Sequence, residues 1–182
     1  MRVISGVLKG RKIFSIDNVN TRPLTNQIQE ALFNIIRDVE DVEILELFAG
    51  FGMFSWEALS RGAKHSTMVE KNSKITIKLR ETAKAFQMEK KVSILTKDIF
   101  KGLGFPKHSF DLIFADPPFG LNLCQQTFNL VIKNHWLKEK GIFIIRHHYK
   151  EEINTPFEPV LEKKYGDSIV KFFKSATSSE DI

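Results

Sequence analysis

Along the chain, short apolar runs alternate with longer stretches whose apolar residues recur every three or four positions. The opening, "MRVISGVLKGRKIFSI", differs: apolar and polar residues alternate around Gly6 and Gly10, as in a hairpin or a pair of short strands. "TRPLTNQIQEALFNIIRDV" then sets Ile28, Ala31, Leu32, Ile35 and Ile36 on one helical face, with Pro23 suited to the first turn. From Glu43 onward the expected strands are "EILELF", "HSTMVE", "KVSILT", "FDLIFA" and "GIFIIRHH". Helices are expected at "FSWEALSRG", closed by Gly62, at "SKITIKLRETAKAFQM" and at "CQQTFNLVIKNHWL". "PFEPVLEKKYGDSIVKFFK" reads as two last strands joined by a turn at Gly166 and Asp167.

Strands alternating with helices predict an α/β protein with a parallel, doubly wound sheet, here finished by an antiparallel hairpin. A length of 182 residues suits one domain with a small appendage. No run reaches the length of a membrane span, so no membrane partner is expected. The lone Cys124 excludes an intrachain disulfide, suits a reducing cytoplasm and reads as a packed, inert thiol. The net charge of +5 matters for where it sits. Arg2, Lys9, Arg11 and Lys12 all precede the first acid, Asp17, and could grip phosphate; the alternative is a solvated hairpin that only covers the core. The closing "SATSSEDI" reads as a frayed, polar tail.

Two stretches carry candidate chemistry. In "FDLIFADPPFG" a buried strand stops at an acid and two prolines, which end the ladder and hold the preceding residues extended. Asp116 and the carbonyl of Pro117 are thereby fixed at the carboxyl end of a strand, where open α/β sheets place ligands. Taken alone the same dipeptide is a common turn. In "ELFAGFG", Gly50 and Gly52 lie between a strand and a helix, so bare backbone can approach a ligand. Glu70 ends the next strand about 20 residues on, the spacing of a carboxylate that meets ribose hydroxyls, or else it is a charge at a helix N-terminus. A dinucleotide fingerprint would put a third glycine or alanine where this chain has Ser55, which favours S-adenosyl-L-methionine, a cofactor without a pyrophosphate. Asp98 after the third strand reads either as an acceptor for an adenine amine or as a helix N-cap. Glu46 reads as a cofactor contact or as a partner of loop amides.

A methyl donor gives the proline corner a use. The lone pair of a base amine is delocalised into its ring, and acceptors at Asp116 and the Pro117 carbonyl can localise it and stabilise the charge that develops. Phe119 would stack on the target base, unless it is a core ring.

The segments "MRVISGVLKGRKI", "TRPLTNQIQEALFNII", "ELFAGFG", "EALSRGA", "VEKN", "FDLIFADPPF" and "KYGDS" resemble, in order, the bacterial 16S ribosomal RNA (guanine(966)-N(2))-methyltransferase family over residues 1 to 174. The resemblance implies a seven-stranded sheet of the S-adenosylmethionine-dependent methyltransferase type and transfer to the exocyclic 2-amino group of a guanine. It implies 16S ribosomal RNA, within assembled or assembling small subunits, as partner. On that basis residues 1–41 are an RNA-contacting extension of hairpin and helix, 42–174 the methyltransferase domain and 175–182 a flexible tail. Asp116, Pro117 and Phe119 become catalytic. Glu46, Phe48, Gly50, Gly52, Glu70, Asp98 and Asp116 become cofactor-binding, and Arg2, Lys9, Arg11, Lys12 and Arg22 RNA-binding. A monomer is expected. This chain departs from the family pattern at Glu46 and Phe51, where "DLFAGSG" is usual, and at Gln29, where "REALFN" has arginine. Phe51 is expected to narrow the glycine loop.

Rival readings are a DNA adenine methyltransferase, which generally needs a recognition region that 182 residues leave little room for, and a non-catalytic RNA-binding relative. A protein glutamine methyltransferase would favour "NPPY", and a nicotinamide oxidoreductase lacks a hydride partner at the corner. No metal site is expected, since adjacent His147 and His148 face opposite sides of a strand.

Overall fold

The structure is a computed structural model that describes residues 1–17 and 24–175. It divides into two compact units, Met1–Leu103 and Gly104–Ile182. The first contains α1 (Asn26–Ile36), β1 (Glu43–Leu47), α2 (Met53–Ser60), β2 (His65–Glu70), α3 (Ser73–Phe86), a 3-10 turn at Glu89–Lys91 and β3 (Val92–Thr96). Strands β1 and β2, and β2 and β3, pair in parallel, and Leu47↔Val69 and Glu70↔Thr96 bring the three carboxyl ends level.

Helix α2 sits at the centre of this unit, with all eight of its residues buried. Phe54 stacks on Phe33 of α1 with ring centroids 5.0 Å apart, and Trp56 meets Phe86 of α3 edge-on at 5.5 Å. Burying rings of this size stabilises the fold by roughly 1.5–3 kcal/mol each. Polar residues on such a helix need partners, because an unpaired buried group costs about 1–3 kcal/mol. The amino-terminal segment supplies them. Ile4 N donates to Glu57 Oε2 at 2.7 Å, Leu8 N to Ser60 Oγ at 2.8 Å and Val7 N to the Ser60 carbonyl at 2.8 Å. Val3, Leu8 and Ile13 are buried beneath it. The expected hairpin is therefore present in outline, with its pairing confined to one bridge, Arg2↔Lys12. Its two arms bond to each other around that bridge, Val3 N to the Arg11 carbonyl and Ile13 N to the Met1 carbonyl, each at 3.1 Å, as well as to α2, and they share a compact unit with β1 to β3.

Helix α1 begins at Asn26, capped by the Thr25 hydroxyl, which accepts from Ile28 N at 3.3 Å. That is later than the apolar periodicity predicts, and Pro23 lies outside the described residues.

The second unit contains β4 (Phe110–Ala115), α4 (Leu123–Lys133), β5 (Leu137–His148), β6 (Leu161–Tyr165) and β7 (Ser168–Lys174). β4 and β5 are parallel; β7 runs antiparallel to both β5 and β6. Phe128, Phe143 and Phe173 form its aromatic core, with Phe128 and Phe173 5.0 Å apart. Helix α4 stops earlier than its sequence pattern predicts. His135 takes a left-handed φ of 51°, and Leu137 pairs with Phe110, so Trp136 and Leu137 leave the helix. β5 correspondingly starts at Leu137 and not at Gly141, with a slip in register between Phe110 and Leu112. The strand order is β3-β2-β1 in the first unit and β4-β5-β7-β6 in the second, seven strands in all, the last pair antiparallel.

The docking of the amino-terminal segment makes two glycines unequal. A Cβ on Gly6 would stand 1.9 Å from the Ser60 carbonyl oxygen, whereas one on Gly10 meets nothing within 4 Å. Both have positive φ, so each alanine suffers left-handed strain of about 1–2 kcal/mol. Gly10→Ala should lower the stability by about that amount and Gly6→Ala by at least twice as much, read from denaturant melts. Equal losses would mean that the segment does not seat on α2.

Candidate active site

β1 ends at Leu47, and the chain turns through Phe48 (φ 56°), Gly50 (φ 53°) and Gly52 (φ 75°) into α2. The two glycines answer different demands. A Cβ on Gly52 would come within 2.8 Å of Leu79 Cδ2 and Trp56 Nε1 and within 2.9 Å of Met68 Sδ. Gly52 is thus required for close packing of α2. A Cβ on Gly50 meets nothing within 4 Å, so its bare backbone borders open space that a ligand can use.

Glu70 anchors this loop. Its Oε2 accepts from Gly50 N at 3.0 Å and its Oε1 from Asn72 N at 2.8 Å. Asp98 Oδ1 accepts from Phe100 N at 3.0 Å, which makes it the head of a turn after β3. Phe48 and Phe100 meet edge-on at 6.3 Å, and Phe100 is 37% exposed. Two carboxylates and two rings therefore occupy the turns after β1, β2 and β3. Phe100 was not singled out in the sequence; the only sign of it there is an aromatic residue two positions beyond a turn-forming acid.

Glu46 is buried, with Oε2 accepting from Ser55 N at 3.0 Å and from the Ser55 hydroxyl, which in turn accepts from Ser66 Oγ at 2.7 Å. The bond to the Ser55 amide agrees with one of its two sequence readings: the carboxylate sits at the first turn of α2, where negative charge is favoured. Ser55, which breaks the dinucleotide fingerprint, is its partner. Phe51 is buried at 6% exposure, and its carbonyl accepts from Trp56 Nε1 at 3.0 Å. Gln29 is also interior, donating to the Met53 carbonyl and to Glu57 Oε2, each at 3.2 Å. Its position faces the core and not a solvent-borne partner.

In the second unit the proline corner is built around a residue missed in the sequence. Arg146 of β5, 1% exposed, donates from Nη1 to Asp116 Oδ2 at 2.7 Å and from Nε to Ser168 Oγ at 3.2 Å. Its Cζ lies 5.3 Å from the centre of the Phe119 ring. One guanidinium thus holds both the acid and the ring of the corner. The clue was a charge inside the apolar run "GIFIIRHH", since buried arginine needs a partner. Pro117 is buried and Pro118 exposed. Beyond the corner, Glu151 accepts from Gly120 N at 2.9 Å and from Cys124 Sγ at 2.8 Å. Burial, then the hydrogen bond and charge of Glu151, with Asp116 adding, push the Cys124 thiol well above its ordinary value. It remains a protonated donor.

The basic residues of the amino terminus divide. Arg2 Nη1 donates to the Gly10 carbonyl at 2.7 Å, and Arg11 bonds the Ala85 carbonyl with its Cζ 5.0 Å from the Phe86 ring. Both brace the fold. Lys9 and Lys12 are exposed, and Arg22 lies outside the described residues. Among the described residues no group of three or more His, Cys, Asp or Glu is placed to hold a metal ion, and no helix is long and apolar enough to cross a membrane.

Strand order and the carboxylates after parallel strands define an α/β protein of the methyltransferase class. A solved Escherichia coli chain, yhhF, assigned as a methyltransferase, matches with TM-score 0.84 and 25% identity, covering 96% of this chain and 97% of that one. Residues 1–174 match the family described as conserved hypothetical protein 95. Ribosomal RNA small subunit methyltransferase D of Buchnera aphidicola subsp. Acyrthosiphon pisum is 34% identical over 163 residues, 89% of this chain and 85% of the relative. The protein of the same name from Escherichia coli K12 is 30% identical over 159 residues, 85% and 78% respectively. The chain belongs to this ribosomal RNA small subunit methyltransferase D family.

One titrating group beside the corner yields a test. Burial, with the Lys171 charge adding, lowers His147 from its ordinary value, and its Nε2 is buried without a hydrogen-bond partner. The unfolded chain therefore takes up a proton near pH 6.5 that the folded chain refuses. The neutral ring's contribution is full above that pH and is lost as pH falls through the lower folded value. The melting temperature of the wild type minus that of His147→Leu should shrink between pH 7.5 and pH 5. A pH-independent difference would show that the ring is not held neutral.

Proposed function

We propose that this protein transfers a methyl group from S-adenosyl-L-methionine to the exocyclic 2-amino group of a guanine in small-subunit (16S) ribosomal RNA, in the cytoplasm and as a monomer. The observation that carries the reading is the acid of the proline corner, held by a buried arginine beside a partly exposed ring. Membership of the methyltransferase D family supports ribosomal RNA as the substrate class.

The residues present fit the donor. Gly50 leaves bare backbone beside open space, the Glu70 carboxylate suits ribose hydroxyls, and Asp98 with the Phe48 and Phe100 rings suits an adenine. Gly52 serves by packing, and Glu46 by fixing the first turn of α2 behind the loop. When bound, S-adenosyl-L-methionine supplies an electrophilic methyl group on a sulfonium. The protein's part is to prepare the nucleophile. Asp116 and the Pro117 carbonyl accept the two N–H bonds of the amine and draw its lone pair out of conjugation. Asp116 then takes the proton that the nitrogen sheds as it gains the new bond. Arg146 fixes the carboxylate's direction, and Phe119 offers a face to the extruded base, a contact of roughly 1–3 kcal/mol. Exposed Lys9 and Lys12 remain available for phosphates.

A DNA adenine acceptor would use the same corner, so substrate choice decides between them. Tritium from labelled S-adenosyl-L-methionine should pass to small subunits lacking the modification, with the label in N2-methylguanine on digestion. Transfer to DNA alone, or to another base, would reverse the assignment.

Two variants separate chemistry from donor binding. Asp116→Ala would strand the buried Arg146 charge, at a cost of about 3–5 kcal/mol, so Asp116→Asn is the better probe. It should lose roughly 100-fold or more in turnover while binding the donor normally. The donor at about 100 times its dissociation constant should stabilise the wild type by roughly 2.7 kcal/mol, and Glu70→Ala should remove most of that gain. A larger melting shift with a nicotinamide dinucleotide would overturn the choice of donor.

A further inference from the structure

The second unit carries a run of rings that the proposed chemistry does not use. The Phe119 ring meets His148 at 5.4 Å and 71°, and His148 meets Tyr149 at 4.6 Å and 32°. Tyr149 is 42% exposed, with Lys164 Nζ 5.1 Å and Lys150 Nζ 5.7 Å from its ring centre. A core role would bury such a ring. The backbone beneath it is fixed: Tyr149 N donates to the Asp167 carbonyl at 2.9 Å, Lys150 N to His148 Nδ1 at 3.1 Å, and Glu151 N to the His148 carbonyl at 2.9 Å. Two nearby acids have other partners, Glu151 with Gly120 and Cys124, and Glu162 with Lys171. Neither offsets the two lysines by an observed contact.

An exposed ring flanked by ammonium groups, and continuous through a second ring with the acceptor corner, suits a chain of flat bases and phosphates. Its fixed backbone means that little freedom is lost on binding. We infer that Tyr149, packed at a tilt against His148 and flanked by Lys150 and Lys164, is the platform for an unpaired nucleotide neighbouring the target guanine. The inference rests on RNA being the substrate. Exposed cation–π contacts are weak, so the lysines exchange the ring for phosphates as a base takes their place. Duplex RNA keeps its bases stacked internally and offers no free face, so the platform selects single strands.

The test uses the full chain and a fluorescent single-stranded RNA of mixed sequence, about twelve nucleotides long, beside its duplex. Tyr149→Ala should weaken single-strand binding by roughly 5- to 100-fold and leave duplex binding unchanged. Replacing Lys150 and Lys164 together by glutamine should flatten the slope of log affinity against log salt by roughly 1.4. With small subunits as substrate, Tyr149→Ala should raise KM and spare kcat. Unaltered single-strand affinity in Tyr149→Ala, or a wild-type preference for duplex, would overturn the platform. Wild-type protein that binds the single strand through Tyr149 yet methylates no small subunit would leave the platform standing and remove the methylation reading instead.

Discussion

A helix with no solvent-facing side sets the terms for the first unit. Every residue of α2 is buried, so Ser55, Glu57 and Ser60 have no water to turn to. Each is matched by a different part of the chain: Ser55 by β1 and β2 through Glu46 and Ser66, Glu57 by Ile4, Gln29 and Arg61, and Ser60 by the backbone of residues 5 to 8. The glycine loop enters this helix directly, so its position is inherited from those bonds. The amino-terminal segment is accordingly part of the scaffold of the loop, whatever its two exposed lysines also do.

The second unit solves a related problem with charge. Arg146 is almost wholly buried, and desolvating a guanidinium is tolerable only with an acid and further acceptors in place. Asp116 and Ser168 meet that need from the end of β4 and the start of β7. An acid whose direction is set by such a pair has little freedom to swing, which is what an acceptor aimed at a developing charge requires.

Much of this was legible in the sequence, and the failures have a pattern. "HSTMVE" and "FDLIFA" match β2 and β4 residue for residue, because a short apolar run ended by a punctuator leaves no competing choice. The boundary between α4 and β5 was misplaced, since "KNHWL" continues the helical period and only pairing with Phe110 pulls Leu137 into the sheet. Gly50, Gly52, Glu70 and Asp116 stand in the turns and strand ends where they were expected. The role of Arg146 was not legible, because its partners lie 30 and 22 positions away. Charge counts at the amino terminus likewise do not reveal that Arg2 and Arg11 each also donate to a backbone carbonyl of the fold.

Glu70 has an implication for how a nucleoside would meet this protein. Both of its carboxylate oxygens already hold backbone amides, one from the glycine loop and one from the turn after β2. Each oxygen can still accept a second bond, so a ribose hydroxyl would join these amides without displacing them. The loop is then a finished receptor and not a latch that the ligand must shut. Binding to it would be governed by diffusion and desolvation more than by folding of the loop, and the backbone would look much the same loaded or empty.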